Sequence, residues 1–197
     1  MRHSWFISDL HFGHKSILAF EKETRPFASK ELIQAIELRK PIPKDLQYEL
    51  ENSLRIHNSY IVNKINSYVN PTDTLWILGD LAFGTKDNLK YVEQIVCRNK
   101  KLVLGNHDVF PMADYISAGF SKIFGMVRHK EFVLTHAPIH PEQLETRYKA
   151  NIHGHLHDWD IEDSRYINVN MDRNKCTPIT LEQIRDEMRY NEKYGNN

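Results

Sequence analysis

Five apolar runs in this 197-residue chain each stop on a cluster of Asp, Asn or His. Trp5-Phe6-Ile7-Ser8 runs into Asp9-Leu10-His11, and Thr74-Leu75-Trp76-Ile77-Leu78 into Gly79-Asp80. Lys101-Leu102-Val103-Leu104 runs into Gly105-Asn106-His107-Asp108, Phe132-Val133-Leu134-Thr135 into His136, and Ala150-Asn151-Ile152 into His153-Gly154-His155-Leu156-His157. Short buried strands with polar ends are how open α/β sheets build ligand sites, because ligands bind in the crevice outside the carboxyl ends of the strands. The pattern therefore constrains the fold. Segments far apart in sequence must converge on one rim.

The stretches between these runs support an α/β layered domain. Leu50, Leu54, His57, Ile61, Ile65 and Tyr68 recur at helical spacing, which predicts an amphipathic helix within Asp45 to Tyr68, stopped by Pro71. Leu89, Val92, Ile95 and Val96 predict a shorter helix from Lys86 to Arg98, and Leu181, Ile184 and Met188 a C-terminal helix capped by Thr180. Tyr166 to Val169 reads as a later strand. Lys122-Ile123-Phe124 and Met126-Val127-Arg128 read as a hairpin around Gly125. Ser29 can cap a short helix through Leu38, and Pro41 and Pro43 prevent its continuation. Residues 1–197 read as one domain with a helical elaboration around 26–68. The stretch from Ser29 to Lys44 has few apolar anchors, so it is expected to border the substrate cleft or a subunit contact.

Composition narrows the function classes. Lys+Arg and Asp+Glu are both 26, a formal net charge of zero, which disfavours a strongly basic duplex binder without excluding a local basic patch. Cys97 and Cys176 are too few for a disulfide framework and fit reduced thiols in a cytoplasmic protein. No secretory signal and no apolar run of about 18 residues is present, so no membrane partner is expected.

Histidine is the unusual component: 11 in all, with His11, His14, His107, His136, His153, His155 and His157 in four short clusters. Asp9-Leu10-His11 alone could be a turn, Asp80 alone a cap, and His136 alone a loop residue. Gly105-Asn106-His107-Asp108 and the alternating His153, His155 and His157 are harder to explain without a cation. The ordered set offers oxygen and nitrogen ligands and no thiolate, which suits Mn, Fe, Zn, Ni or Co. So many ligands suit two ions sharing Asp80, and two-metal sites are characteristic of phosphoester hydrolysis.

The set Asp-x-His, Gly-Asp, Gly-Asn-His-Asp, His, Gly-His-x-His resembles the calcineurin-like metallophosphoesterases. Ser8-Asp9-Leu10-His11-Phe12-Gly13-His14 with Arg25-Pro26-Phe27, and Asn168-Val169-Asn170-Met171-Asp172 followed by Pro178-Ile179-Thr180-Leu181, are similar to a small bacterial and phage branch. The resemblance implies a four-layer α-β-β-α sandwich of two mixed sheets flanked by helices. It implies that Asp9, His11 and His157 hold one metal, that Asn106, His136 and His155 hold the other, and that Asp80 bridges them. His107 would stabilise charge or protonate the leaving oxygen. His14 is a candidate for a substrate contact and Arg147 for a phosphate clamp. The stretch from Ser29 to about Tyr48 is longer than that branch leads one to expect.

The resulting expectation is a phosphodiesterase using two divalent ions, Mn favoured, in which a metal-bridging hydroxide attacks a small nucleotide-type substrate in line. A phosphomonoesterase or protein phosphatase is the close alternative. A nuclease acting on RNA or DNA is another, given Arg98-Asn99-Lys100-Lys101 and Arg128-His129-Lys130. Its binding would depend steeply on salt. A metal-stabilised scaffold without catalysis is disfavoured because every motif ligand is present. The sequence leaves the oligomeric state open.

Overall fold

The computed structural model describes residues 2–194, the last four by backbone alone. The strands are β1 (Ser4–Ile7), β2 (Thr74–Leu78), β3 (Asn99–Val103), β4 (Phe120–Phe124), β5 (Val127–His129), β6 (Phe132–Leu134), β7 (Ala150–His153), β8 (Tyr166–Asn168) and β9 (Ile179–Thr180). The helices are α1 (Ile17–Phe20), α2 (Lys30–Glu37), α3 (Lys44–Asn66), α4 (Lys90–Glu93), α5 (Met112–Ser117), α6 (Gln143–Thr146) and α7 (Leu181–Tyr194).

The strands form two mixed sheets flanked by helices. One has the order β4-β3-β2-β1-β9 and the other β5-β6-β7-β8. In the first, β1 to β4 are parallel and β9 is antiparallel to β1. In the second, β6, β7 and β8 are parallel and β5 is antiparallel to β6.

The period-2 alternation of strand side chains builds two cores at once. Phe6, Trp76, Leu78 and Val103 point toward the second sheet and pack with Phe132, Leu134, Ile152 and Ile167, joined by Leu181 and Ile184 of α7. Their neighbours Ile7, Leu75, Ile77 and Leu102 point the other way, onto Ile61, Val62 and Ile65 of α3, Val92 of α4 and Tyr115 of α5. A third cluster joins Ile17 and Leu18 of α1, Leu32 and Ile36 of α2, Ile42, and Leu50 of α3.

Several local expectations hold. Ser29 caps α2, accepting from Leu32 N at 3.1 Å. Thr180 Oγ1 accepts from Gln183 N, and Gln183 Oε1 accepts from Thr180 N, a reciprocal capping box at α7.

Three expectations are corrected. The hairpin around Gly125 is instead a crossover between sheets: β4 pairs parallel with β3, whereas β5 pairs antiparallel with β6. The helix expected through Arg98 is a 3-10 turn at Lys86–Leu89 followed by α4, which ends at Glu93. Asn66 pulls the chain out of helix there, its side chain accepting from Val96 N and donating to Gln94 O, while Lys100 Nζ donates to the Ile95 and Cys97 carbonyls. The stretch Ser29 to Lys44 is anchored after all, since Leu32, Ile36 and Ile42 are buried in the third cluster.

Candidate metal centre

The motif residues follow the carboxyl ends of β1, β2 and β3 in one sheet and of β6 and β7 in the other. Asp9, His11, Asp80, His155 and His157 all have left-handed backbones, with φ of 60°, 51°, 52°, 71° and 51°. Such conformations are unfavourable for non-glycine residues and cluster at functional sites. Residues i and i+2 of an extended strand point to the same side, which would bring Asp9 and His11 together. They do meet, with Asp9 Oδ1 3.9 Å from His11 Nε2, but through two left-handed turns. Glycine makes room around them. A Cβ at Gly154 would lie 2.4 Å from Asp9 Oδ2, and one at Gly105 would lie 2.3 Å from Asp80 Oδ1.

Two groups of side chains result. Ligand atoms of Asp9, His11 and His157 lie within 4.8 Å of one another, as do those of Asp80, His136 and His155. Asn106 joins the second group through Oδ1, 3.0 Å from His136 Nε2. Asp80 faces both. Its Oδ2 is 3.8 Å from His11 Nε2 and its Oδ1 is 3.4 Å from His136 Nε2. Each group also straddles the two sheets, because His157, His136 and His155 follow strands of the second sheet and the others follow strands of the first. The backbone is locked to match. Asp108 accepts from the N–H groups of Asp80, Leu81 and Gly105 at 2.9, 3.0 and 2.8 Å, stapling the β2 and β3 loops together. His136 Nδ1 sits 2.8 Å from the Leu78 carbonyl, so Nδ1 donates and Nε2 faces the site.

The electrostatics fit a cation. Burial, then the Arg25 charge, pushes His11 well below the ordinary histidine range, leaving a neutral ring with a lone pair to offer. Burial also raises Asp9. Burial alone would lower His136, but the Asp80 hydrogen bond and the charges of Asp9 and Asp80 hold it up to about 9, so the proton substitutes for positive charge the carboxylates call for. Asp9 Oδ1 and both ring nitrogens of His11 are buried without a hydrogen-bond partner. Buried orphan acceptors beside a carboxylate are costly unless a cation satisfies them. A third cluster, Glu21, His157 and Asp172, is a poorer cation site because the Arg25 guanidinium already occupies both Asp172 oxygens.

The remaining candidates are placed less centrally. His107 Nε2 is 3.9 Å from Asp80 Oδ2, and its side chain is 44% exposed at the mouth of the site. Its backbone N–H donates to Asp80 Oδ1 at 3.0 Å. His14 stacks on Phe83 at 3.8 Å, with its ring 5.2 Å from that of His11. Burial, then the His107 charge, lowers it to about 4, so it lines the site as a neutral ring and not as a charged clamp. His153 is wholly buried with Nδ1 on the Gly154 carbonyl. Arg147 is exposed at the end of α6, and among the described residues no hydrogen bond or ion pair joins it to the site. Sequence reasoning assigned no role to Arg25, Asp172 or the stapling carboxylate of Asp108. Asp108 was visible only as an acid flanking His107.

The chain is similar to known proteins along most of its length. A family model described as calcineurin-like phosphoesterase matches residues 3–193. The Gene 66 proteins of Mycobacterium phages L5 and D29 are 32% and 28% identical over 111 residues, 55% of this chain but only 41% of each relative's length. A crystal structure of a protein of unknown function from Aquifex aeolicus superposes with a TM-score of 0.64 at 23% identity, covering 94% of this chain and 99% of that one. At that identity the likeness speaks to the fold alone.

Proposed function

Because the chain belongs to the calcineurin-like phosphoesterase family, we propose that it hydrolyses a phosphodiester, of small nucleotide type, at a site for two divalent transition-metal ions. The observation that carries this reading is Asp80, which turns one oxygen toward His11 of one group and the other toward His136 of the second. In the proposed assignment Asp9, His11 and His157 hold one ion, Asn106, His136 and His155 hold the other, and Asp80 is shared. Manganese is favoured over Fe, Zn, Ni or Co. Bound there, such ions supply Lewis acidity and charge neutralisation to the phosphoryl group.

The chain's own residues do the rest. His107 is outside both metal groups, exposed and next to Asp80, so it is free to hold a proton for the leaving oxygen. Asp80 and Asp108 keep its loop in place through the backbone bonds to His107 and Gly105. Phe83, ring centroid 4.4 Å from that of His107, and His14 form one apolar wall of the mouth. Arg147, exposed at the end of α6, is the candidate phosphate clamp.

The test is a metal-by-substrate screen of bis-p-nitrophenyl phosphate against p-nitrophenyl phosphate, each with Mn, Ni, Zn and Mg. The expected result is metal-dependent turnover with the diester preferred. Preference for the monoester would make the protein a phosphomonoesterase, and no turnover with any ion would overturn the reading.

A further inference from the structure

Among the described residues, Arg25 is the largest wholly buried side chain, at 0% exposure. A guanidinium carries five N–H donors in a fixed plane and no acceptor. Here every donor has a partner. Nε donates to Asp172 Oδ1 and Nη2 to Asp172 Oδ2, both at 2.7 Å. Nη2 also donates to the Asp9 carbonyl at 2.8 Å, and Nη1 to the Leu10 carbonyl at 3.3 Å. The fifth bond runs from Nη1 to His57 Nε2 at 3.1 Å. His57 therefore accepts at Nε2 and carries its proton on Nδ1, which donates to Asn58 Oδ1 at 2.9 Å. Burial, then the Arg25 charge, lowers His57 to about 3, in keeping with a neutral ring.

Asp172 passes this order outward. Its Oδ2 lies 3.0 Å from His157 Nδ1, which leaves Nε2 as the ring nitrogen free to ligate. Thr24 Oγ1 donates to its Oδ1 at 2.8 Å. Asp9 and His157 are both in left-handed backbone conformations that their surroundings must enforce. Arg25 is common to them, touching Asp9 directly and His157 through Asp172.

We propose that Arg25 and Asp172 are positioning residues that aim the Asp9 carboxylate and the His157 imidazole at a single cation, and that they serve this metal group alone. The inference rests on the two-group reading of the site. Among the described residues, none of the hydrogen bonds of Arg25 or Asp172 reaches Asp80, Asn106, His136 or His155. A buried ion pair is a weak source of stability compared with apolar packing of the same volume. A pair that spends three of five donors on the Asp9 carbonyl and on the carboxylate beside His157 is better explained by the geometry it imposes. Lysine cannot substitute for it, because an ammonium lacks the planar fork that spans Asp172 and two carbonyls.

The experiment is calorimetric titration of Mn²⁺ into the metal-free full chain, with a thermal melt of each protein. Wild type is compared with Asp172→Asn, Asp172→Glu and Arg25→Lys. Asp73→Asn is the control, because it changes a buried carboxylate at the opposite, amino-terminal ends of the strands. Wild type is expected to show two sites. Asp172→Asn and Arg25→Lys should each weaken one of them about 10–100-fold, the usual effect of losing a partner of a metal ligand, and leave the other unchanged. Asp73→Asn should leave both unchanged. If the Asn and Lys variants do not fold, Asp172→Glu decides by the same criterion, since it keeps the charge and moves the carboxylate by one methylene. Two native affinities in the variants, or two sites weakened together in step with the melting temperature, would overturn the inference. A wild-type protein that binds no Mn²⁺ would overturn the metal reading itself.

Discussion

Asp80 and His107 sit side by side, yet removing each should produce a different defect. Asp80 faces both candidate metal groups and its backbone is fixed by Asp108. Asp80→Asn removes the proposed anionic bridge, so metal content by elemental analysis should fall and turnover should drop by more than the ~100-fold upper range for a mere partner of a ligand. Two ions per chain with near-normal turnover would refute the bridging role. His107 touches Asp80 but belongs to neither group. His107→Ala should keep its metal and lose about 10²–10⁴-fold in rate, the usual worth of general acid catalysis. The deficit should shrink for a diester with a good leaving group, which departs without a proton. Loss of metal with activity would make His107 a ligand instead.

Asp73 does for the elements at the amino ends of the strands what Asp108 does at the carboxyl ends. It accepts from His3 N, Trp5 Nε1, Asn70 N and Asn70 Nδ2, tying the entry of β1 to the turn between α3 and β2. Burial alone would raise its pKa, but the bonds from His3, Asn70 and Trp5 win and hold it below the ordinary 3.8. A carboxyl depressed in the folded state stabilises it above the unfolded pKa, and that contribution is lost as pH falls through the folded pKa. Asp73→Asn should therefore cost about 1.5–3 kcal/mol near pH 7. The gap to wild type in urea titrations should narrow below about pH 4, and a gap independent of pH would rule out the charged form as the source. Elements such as α2, α3 and the capped start of α7 were legible in the sequence because caps and 3.6-residue periodicity are local. The fate of residues 86–98 and 122–128 was not. Asn66, far away in sequence, ends α4, and partner strands in different sheets separate β4 from β5.

At the scale of the whole molecule, the segment 26–68 is a packed lobe beside the candidate metal centre. Leu32, Ile36 and Ile42 close a small core with α1 and α3, and each buried aliphatic side chain contributes about 1.5–3 kcal/mol. Replacing residues 29–44 with a Gly/Ser linker should thus lower the melting temperature markedly. If the lobe also tunes substrate choice, the ratio of rates toward large and small diesters should change as well. Unchanged stability, rates and solution mass would leave the segment without a role. The candidate ligands were legible because each follows an apolar run and carries a distinctive side chain. Arg25 and Asp172 stand within two stretches that carry the resemblance, but nothing local gives either a role, and only the fold brings them together across the molecule. The straddling of both sheets by each metal group has a further consequence. A seated cation is a clasp on the interface between the layers, and ligand binding at 100 times the dissociation constant adds about 2.7 kcal/mol to folding. Chelation should lower the melting temperature and speed proteolysis, and a melt indifferent to EDTA would deny the clasp. The cellular lifetime of this protein, and not only its rate of turnover, would then rise and fall with the metal supply.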